Sequence, residues 1–188
     1  MSRKYERDKP KPRPEKAIVL TKESVAKSQL ETAISLWFRN ADPVPILVLG
    51  FNAHEILHAL GKKMGKPSKL KMWLNTMPKR FQKQWEYVWN FCKHGLKDVD
   101  DDVPHDPRHG ELLINFAGEC YRDVFGKRTP LLFAFDLRFL AEHPEFLDWS
   151  AVPFEAFFAD YQWAATVSRE EFLNRCIRLI ETGRLPIS

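Results

Sequence analysis

The chain has 188 residues, of which 44% are hydrophobic and 13% are aromatic. This length suits one domain whose core needs no disulfide or metal to stabilise it, and the apolar content excludes a disordered chain. Only 8 glycines are present, and most apolar residues recur at helical spacing. Both observations favour an all-α fold, a bundle of about five to six helices, over an all-β fold.

The net charge of +4 comes from the N-terminal segment. Residues 1–16 carry seven Lys or Arg and three Asp or Glu, whereas the remaining 172 residues carry 22 basic and 22 acidic side chains. Because residues 1–16 are rich in proline and lack apolar periodicity, we predict a disordered basic tail there, followed by a single helical domain over 17–188. Such a tail either keeps the chain in solution or contacts a polyanion such as RNA.

The cysteine content and the absence of long apolar runs indicate the compartment. There are 3 cysteines, an odd number without C-x-x-C spacing, which predicts reduced thiols rather than a disulfide framework. No apolar segment typical of a signal peptide follows Met1, and no run of about 18 apolar residues occurs. These features predict a cytoplasmic protein without a membrane span.

Helix boundaries are predicted from capping residues and from apolar residues three to four positions apart. Thr21 is typical of an N-cap, and Asp42-Pro43 is typical of the start of a second helix. Ser168 and Glu171 match a capping box for the last helix. The predicted helices cover residues 22–40, 43–64, 78–96, 109–125, 131–142 and 169–182.

Three segments show no clear helical periodicity of apolar residues. The basic stretch over 66–71 is interpreted as a solvated face, and residues 97–109 as a polar, acidic loop. The aromatic segment over 144–167 is interpreted as packing or as a surface for a partner or a second copy.

The sequence H-E-I-L-H over residues 54–58 matches the zinc-site motif H-E-x-x-H. On a helix, His54 and His58 reach one zinc ion, and Glu55 acts as base on the metal-bound water. Gly61 lies where metzincin proteases have a glycine, but their third histidine would be at Met64, which is not a usual zinc ligand. A metzincin site is therefore incomplete in this chain.

Several side chains are candidates for a third ligand, but their spacing selects none of them: Glu86, His94, Glu111 and Glu119. The sheet that flanks the motif helix in zincin proteases is also not predicted here. The alternative is that the two histidines are half-buried beside an apolar face and that Glu55 is solvated. We therefore expect no cofactor, with zinc as the alternative.

A second motif, N-F-C-K-H, closes the third predicted helix. Asn90 and His94 are four residues apart and share one helix face, with Lys93 beside them. Histidine and lysine at a helix C-terminus also offset the negative end of the helix dipole. As a catalytic set, His94 would act as general acid or base and Lys93 would stabilise negative charge.

The segments 29–34, 42–46 and 90–94, followed by the acidic loop, resemble a group of uncharacterised bacterial proteins. Their motifs are an A-I-x-L-x-F opening helix, D-P-V, N-F-x-K-H and D-P-D, and the resemblance covers about residues 22–147. These proteins are similar to the HEPN-like class of helical bundles. That resemblance implies a bundle of four to five helices, commonly a homodimer, in toxin, phage-defence or RNA-processing systems.

The HEPN resemblance also implies a catalytic pair and RNA as the partner. Active members are metal-independent ribonucleases with an R-x(4–6)-H motif and a polar residue after the arginine. Arg138 and His143 meet this spacing, although Phe139 departs from the polar preference. Three hypotheses remain open: a ribonuclease or RNA-associated factor, a non-catalytic interaction scaffold, and a zinc-dependent hydrolase at the 54–58 motif.

Overall fold

The computed structural model describes residues 18–93, 100, 102–146 and 163–184. In these residues the regular structure is helical and no β-strand occurs, so the predicted all-α class is confirmed. The predicted tail over 1–16 and His94 lie outside the described residues. The α-helices are α1 (Lys22–Phe38), α2 (Pro43–Lys63), α3 (Lys69–Thr76), α4 (Lys79–Lys93), α5 (Arg108–Phe125), α6 (Pro130–Glu142) and α7 (Arg169–Glu181).

The predicted capping residues begin three of these helices. The Thr21 hydroxyl accepts a hydrogen bond from the backbone N–H of Ser24 at 3.0 Å. Asp42 accepts one from Val44 at 2.8 Å, directly before the first residue of α2. Ser168 accepts one from the backbone N–H of Glu171 at 3.2 Å before α7. Side-chain oxygens therefore satisfy N–H groups that have no partner within the helix.

Helix α3 was not predicted, and it begins within the basic stretch over 66–71 that was interpreted as a solvated face. Its N-cap is Ser68, and its apolar side chains Leu70 and Leu74 are buried. A helix of 8 residues shows only two turns of periodicity, which is too short a pattern to distinguish from a charged loop.

Helices α1, α2 and α7 end in the same hydrogen-bonded turn. In α2 the backbone N–H of Lys66 donates to the carbonyl of Gly61 at 2.9 Å, with Gly65 in the left-handed conformation at φ 71°. This is a Schellman motif, which uses a residue with positive φ to close the helix. A Cβ atom on Gly61 would lie 2.6 Å from the Lys66 carbonyl oxygen, so the turn requires glycine at position 61.

Helix α2 is the central element of the fold and packs mainly on α5 and α1. A large apolar cluster joins α1, α2, α5, α6 and α7 around buried side chains such as Trp37 and Phe135. A smaller cluster joins α2 to α3, α4 and α5 around Phe51 and Trp89. The protein therefore has helices on both sides of α2, as expected for a bundle.

By length and composition, α2 is apolar enough to span a membrane. Its best window has a mean hydropathy of 1.3, and 44% of that window is buried inside the protein. A core helix of a soluble protein meets the same criteria, so the predicted absence of a membrane span stays a prediction.

Candidate functional site

A polar cleft lies at one end of the bundle, where α1 and α6 end and where α2, α5 and α7 begin. It consists of two cavities, of about 220 and 240 Å³, that share Glu111 on the first turn of α5. His143, directly after α6, lines the first cavity, and Arg169, the first residue of α7, lines the second. We call this region the Glu111 cleft.

The Glu111 carboxylate connects the two cavities. Its Oε2 accepts a hydrogen bond from Nε2 of His143 at 3.1 Å, and its Oε1 accepts one from Nη2 of Arg169 at 3.0 Å. A carboxylate on one ring nitrogen fixes the tautomer and orientation of a histidine and leaves the other nitrogen to exchange protons. That other nitrogen, Nδ1, lies 3.4 Å from Oε1 of Glu145, whose side chain is 63% exposed.

Arg169 is held by a second carboxylate and by an aromatic ring. Its Nε and Nη2 donate to Glu142 at 2.5–3.2 Å, and its guanidinium carbon lies 3.8 Å from the centroid of the Trp37 ring. Nη1 has one long hydrogen bond, to the Trp37 carbonyl at 3.5 Å. Burial opposes the charged form of Arg169, but Glu142 and Glu111 outweigh it and raise the pKa of the guanidinium. Arg169 therefore stays a cation with donor capacity on Nη1.

The second cavity lies where three helices begin. Pro43 and Arg169 are the first residues of α2 and α7, and Pro107 is the N-cap of α5. Helix N-termini carry positive partial charge and favour anions. The cavity is also lined by Trp37, which is buried and whose indole N–H has no hydrogen-bond partner among the described residues. This cavity is therefore electrostatically suited to a negatively charged group.

The first cavity is lined by three carboxylates, and two of them pair with arginines. The side-chain hydrogen bonds of Arg108 hold the pKa of Asp106 well below its usual range. Arginines therefore offset two of the three carboxylates, whereas Glu145 lies beside His143. The pairs are Asp106 with Arg108 at 2.6 Å, Glu111 with Arg169 at 3.0 Å and Glu145 with His143 at 3.4 Å.

A second histidine, His109, also lines the first cavity. Its ring packs 4.9 Å from Trp85 and 5.8 Å from His105, measured between ring centroids. Burial lowers the pKa of His109, so the neutral imidazole is favoured. His109 therefore contributes a neutral polar side chain to the lining of the first cavity, and not a positive charge.

The structure separates the predicted pair Arg138 and His143. Arg138 is 6% exposed, and its guanidinium donates to Glu142 and to the backbone carbonyls of Ala164 and Val167. These bonds join α6 to the segment that precedes α7. His143 lines the cleft, whereas Arg138 has its partners inside the protein.

One histidine of the H-E-x-x-H motif, His54, is hydrogen-bonded within the fold. His54 is fully buried, and its Nε2 lies 2.7 Å from the hydroxyl of Ser68, the N-cap of α3. The rings of His54 and His58 are parallel, with centroids 6.2 Å apart. Within the described residues, no group of three or more His, Cys, Asp or Glu side chains is arranged to hold a metal ion. His54 therefore connects α2 to α3.

Two of the proposed third ligands are paired with other side chains. Glu119 pairs with Lys69 at 2.9 Å, and Glu111 binds His143 and Arg169. Glu86 lines a groove beside α4, described below, and His94 is outside the described residues.

We expect His54→Ala to lower the free energy of unfolding by about 1–3 kcal/mol. The buried Ser68 hydroxyl would lose its 2.7 Å bond to His54 and keep only the 3.4 Å N-cap bond from the Lys71 N–H. Urea unfolding followed by far-UV circular dichroism measures this loss. His58→Ala should cost less, because Nδ1 of His58 has no hydrogen-bond partner among the described residues. If both variants instead lost the same free energy of unfolding, and only in the absence of EDTA, the result would indicate a bound metal.

The two sequence motifs meet in one groove between α1, α2, α3 and α4, with a volume of about 420 Å³. Asn90 and Lys93 from the N-F-C-K-H motif line this groove together with Glu55 from the H-E-x-x-H motif. We call it the α4 groove. Its polar lining residues are Gln29, Asn52, Glu55, Lys71, Glu86, Asn90 and Lys93.

Glu55 forms an ion pair with Lys71 at 2.6 Å in this groove. Burial raises the pKa of Glu55, but hydrogen bonds from His54 and Lys71 outweigh burial and lower the pKa from 4.5 to about 2. A carboxylate with a depressed pKa stabilises the fold above its unfolded-state pKa, and this contribution is lost as the pH falls toward the folded-state value.

Glu55→Gln should therefore reduce the loss of stability between pH 5 and pH 3. The Glu55 side chain is 40% exposed, so solvent screening limits the expected effect to under about 1 kcal/mol. Urea unfolding at a series of pH values measures this effect. If the variant had the same pH dependence as the parent protein, the lowered pKa of Glu55 would be contradicted.

No protein-family model, curated protein or solved structure matches this chain significantly. The functional assignment therefore depends on the residues described above.

The role of Glu111 was not predicted from the sequence, where this residue was a candidate only as a zinc ligand, and Arg169 was not a candidate at all. One signal was available. Arg108 and Arg169 occupy the first positions of α5 and α7, where a cation is unfavourable beside the positive end of the helix dipole. Arginine at such a position indicates a specific carboxylate partner.

Proposed function

We propose that the protein is a HEPN-like, metal-independent ribonuclease that cleaves RNA in the Glu111 cleft. The observation that carries this proposal is that one carboxylate, Glu111, holds His143 with one oxygen and Arg169 with the other, between two cavities. A proton-exchanging group and a cation are thereby held on either side of the Glu111 carboxylate, each lining one of the two cavities.

The chemistry requires one histidine that both accepts and returns a proton. Nδ1 of neutral His143 accepts the proton of the ribose 2′-hydroxyl as that oxygen attacks phosphorus, and the imidazolium is stabilised by Glu111. The same proton then passes to the leaving 5′-oxygen. Arg169 and the N-termini of α2, α5 and α7 stabilise the charge that develops on the phosphoryl oxygens.

Features outside the cleft are consistent with an RNA substrate. The all-helical fold agrees with the HEPN resemblance at the level of fold class. Residues 1–16 have a net charge of +4, which favours contact with the RNA backbone.

The test is incubation of the purified protein with total RNA in EDTA, beside His143→Ala, His94→Ala and His58→Ala variants. Cleavage that survives EDTA and is lost in His143→Ala supports the proposal. Loss in His94→Ala alone would move the active site to the N-F-C-K-H motif. Cleavage that requires a metal and His58 would indicate a metal-dependent nuclease.

A second candidate function is a non-catalytic interaction bundle. The burial of Arg138, the arginine of the R-x(4–6)-H motif, favours it, because that side chain is bonded to the protein's own backbone. An absence of RNA cleavage by a correctly folded protein would support this second function.

A further inference from the structure

The floor of the α4 groove is aromatic and its walls are polar. The rings of Phe51 and Trp89 are stacked, with centroids 3.6 Å apart and an interplanar angle of 16°, and both side chains are buried. Their packing connects α2 to α4, the two helices that carry most of the groove residues. The groove is therefore a preformed feature of the fold.

Two ammonium groups lie above this floor, one over each ring. Nζ of Lys71 is 5.7 Å from the centroid of Phe51, and Nζ of Lys93 is 5.6 Å from that of Trp89. Lys71 uses one of its three N–H donors on Glu55, which leaves two. Lys93 is exposed and has no ion-pair partner among the described residues. Both lysines therefore have donors for an anionic group.

Three amide side chains complete the lining. Oε1 of Gln29 is buried and accepts no hydrogen bond from the described residues. The side chains of Asn52 and Asn90 likewise form no hydrogen bond within the described part of the chain. Asn and Gln amides donate and accept at once, which is how they pair with the edges of nucleobases. These amides are therefore available to a ligand that has both donors and acceptors.

We propose that the α4 groove is a second binding site and that it takes a nucleoside phosphate, either free or within an RNA strand. Lys71 and Lys93 bind the phosphate, and the amides of Gln29, Asn52 and Asn90 bind the edge of the base. Glu86, one helical turn before Asn90, accepts a hydrogen bond from an exocyclic amine of the base. The site is separate from the Glu111 cleft, so it stands even if His143 catalyses nothing.

Fluorescence anisotropy with a fluorescein-labelled single-stranded oligoribonucleotide tests this proposal. The titrations use the full chain in EDTA and a His143→Ala background, which prevents cleavage at the Glu111 cleft from affecting the binding signal. We expect Lys93→Ala to weaken binding at least fivefold and to reduce the slope of log K against log salt by about one. Asn90→Ala should reduce discrimination between homopolymer sequences and leave the salt slope unchanged.

Lys83→Ala is the matched control, because it removes the same charge from α4 at an exposed position outside the groove. Unchanged binding in this control, with the loss confined to Lys93→Ala, supports the site. Equal losses in both lysine variants, or no binding of oligonucleotide and nucleotides by the parent protein, would overturn it.

Competition with 5′-nucleoside monophosphates identifies the source of the ligand. Displacement of the oligonucleotide by a monophosphate, with the same sensitivity to Lys93→Ala, would support a free nucleotide. Binding of the oligonucleotide alone, again sensitive to Lys93→Ala, would support an RNA strand. Ribose 5-phosphate has no base. If it competed as well as the nucleotides, the proposed contacts with the base edge would be overturned.

Discussion

We expect His143→Ala to lower the rate constant of EDTA-resistant RNA cleavage by about 10²–10⁴-fold, the usual contribution of a general acid–base group. The variant removes the histidine that Glu111 binds and leaves a space in the cavity wall. Free imidazole added to the variant should therefore restore part of the rate. Gel-resolved cleavage of a defined oligoribonucleotide gives the rate constants.

The matched control for this prediction is His105→Ala. His105 packs beside His109 but does not line the cavity that contains His143, so its removal should leave the rate unchanged. An unaltered rate in His143→Ala, or a loss of equal size in the control, would contradict the proposed mechanism.

Glu111 acts through His143 and is a positioning residue in this mechanism. Glu111→Gln removes a charge-assisted hydrogen bond worth about 1.5–3 kcal/mol, which corresponds to a loss of about 10–100-fold in kcat. KM should change little, because Glu111 is not expected to contact the RNA. A change confined to KM would mean that Glu111 contributes to binding rather than to the orientation of His143.

We expect Arg169→Ala to lower the free energy of unfolding by about 3 kcal/mol, because it leaves the largely buried carboxylates of Glu111 and Glu142 without their main cation. It also removes the guanidinium that lies 3.8 Å from the Trp37 ring. For a chain of this size, the midpoint of thermal unfolding should fall by about 6–12 °C. Differential scanning calorimetry measures the change.

Arg178→Ala is the control for this loss, because it removes the same side chain from an exposed position on the same helix. It should change stability by less than about 0.5 kcal/mol. A double-mutant cycle of Arg169→Ala with Glu142→Gln isolates the pairwise coupling, and a coupling energy near zero would contradict the role assigned to the pair.

The pH dependence of stability provides a further readout of this pair. Burial raises the pKa of Glu142, but hydrogen bonds from Arg169 and Arg138 outweigh burial and lower it. The stabilisation is therefore present above the unfolded-state pKa and is lost as the pH falls through the folded-state value. In Arg169→Ala, stability should decline less steeply on acidification below pH 5.

Much of the helical structure could be predicted because helix formation depends on residues that are close in sequence. The caps at Thr21, Asp42 and Ser168 act within three residues, and apolar residues at helical spacing identify the buried faces. Helix α3 could not be predicted because only Leu70 and Leu74 mark its buried face. A basic loop in which Leu70 and Leu74 are exposed would have the same sequence pattern.

The candidate site was predicted only in part. The R-x(4–6)-H spacing identified His143, but it paired this histidine with Arg138, whose guanidinium is bonded to backbone carbonyls inside the bundle. The N-F-C-K-H and H-E-x-x-H motifs were treated as separate sites, yet Asn90, Lys93 and Glu55 line one groove. Spacing along one helix indicates which side chains share a face, but it does not indicate which other helices pack against that face.

The sequence alone determined the all-helical class and most helix boundaries, because these depend on short-range periodicity and capping. His143 was a candidate only through the R-x(4–6)-H motif that the HEPN resemblance implies. The tertiary structure alone decided that Glu111 holds His143 and Arg169, which lie 32 and 58 residues away along the chain. The physical reason is that helix ends are brought together by the packing of α2 against α1 and α5. A large number of small apolar contacts spread over the core determines that packing, and no local motif encodes it.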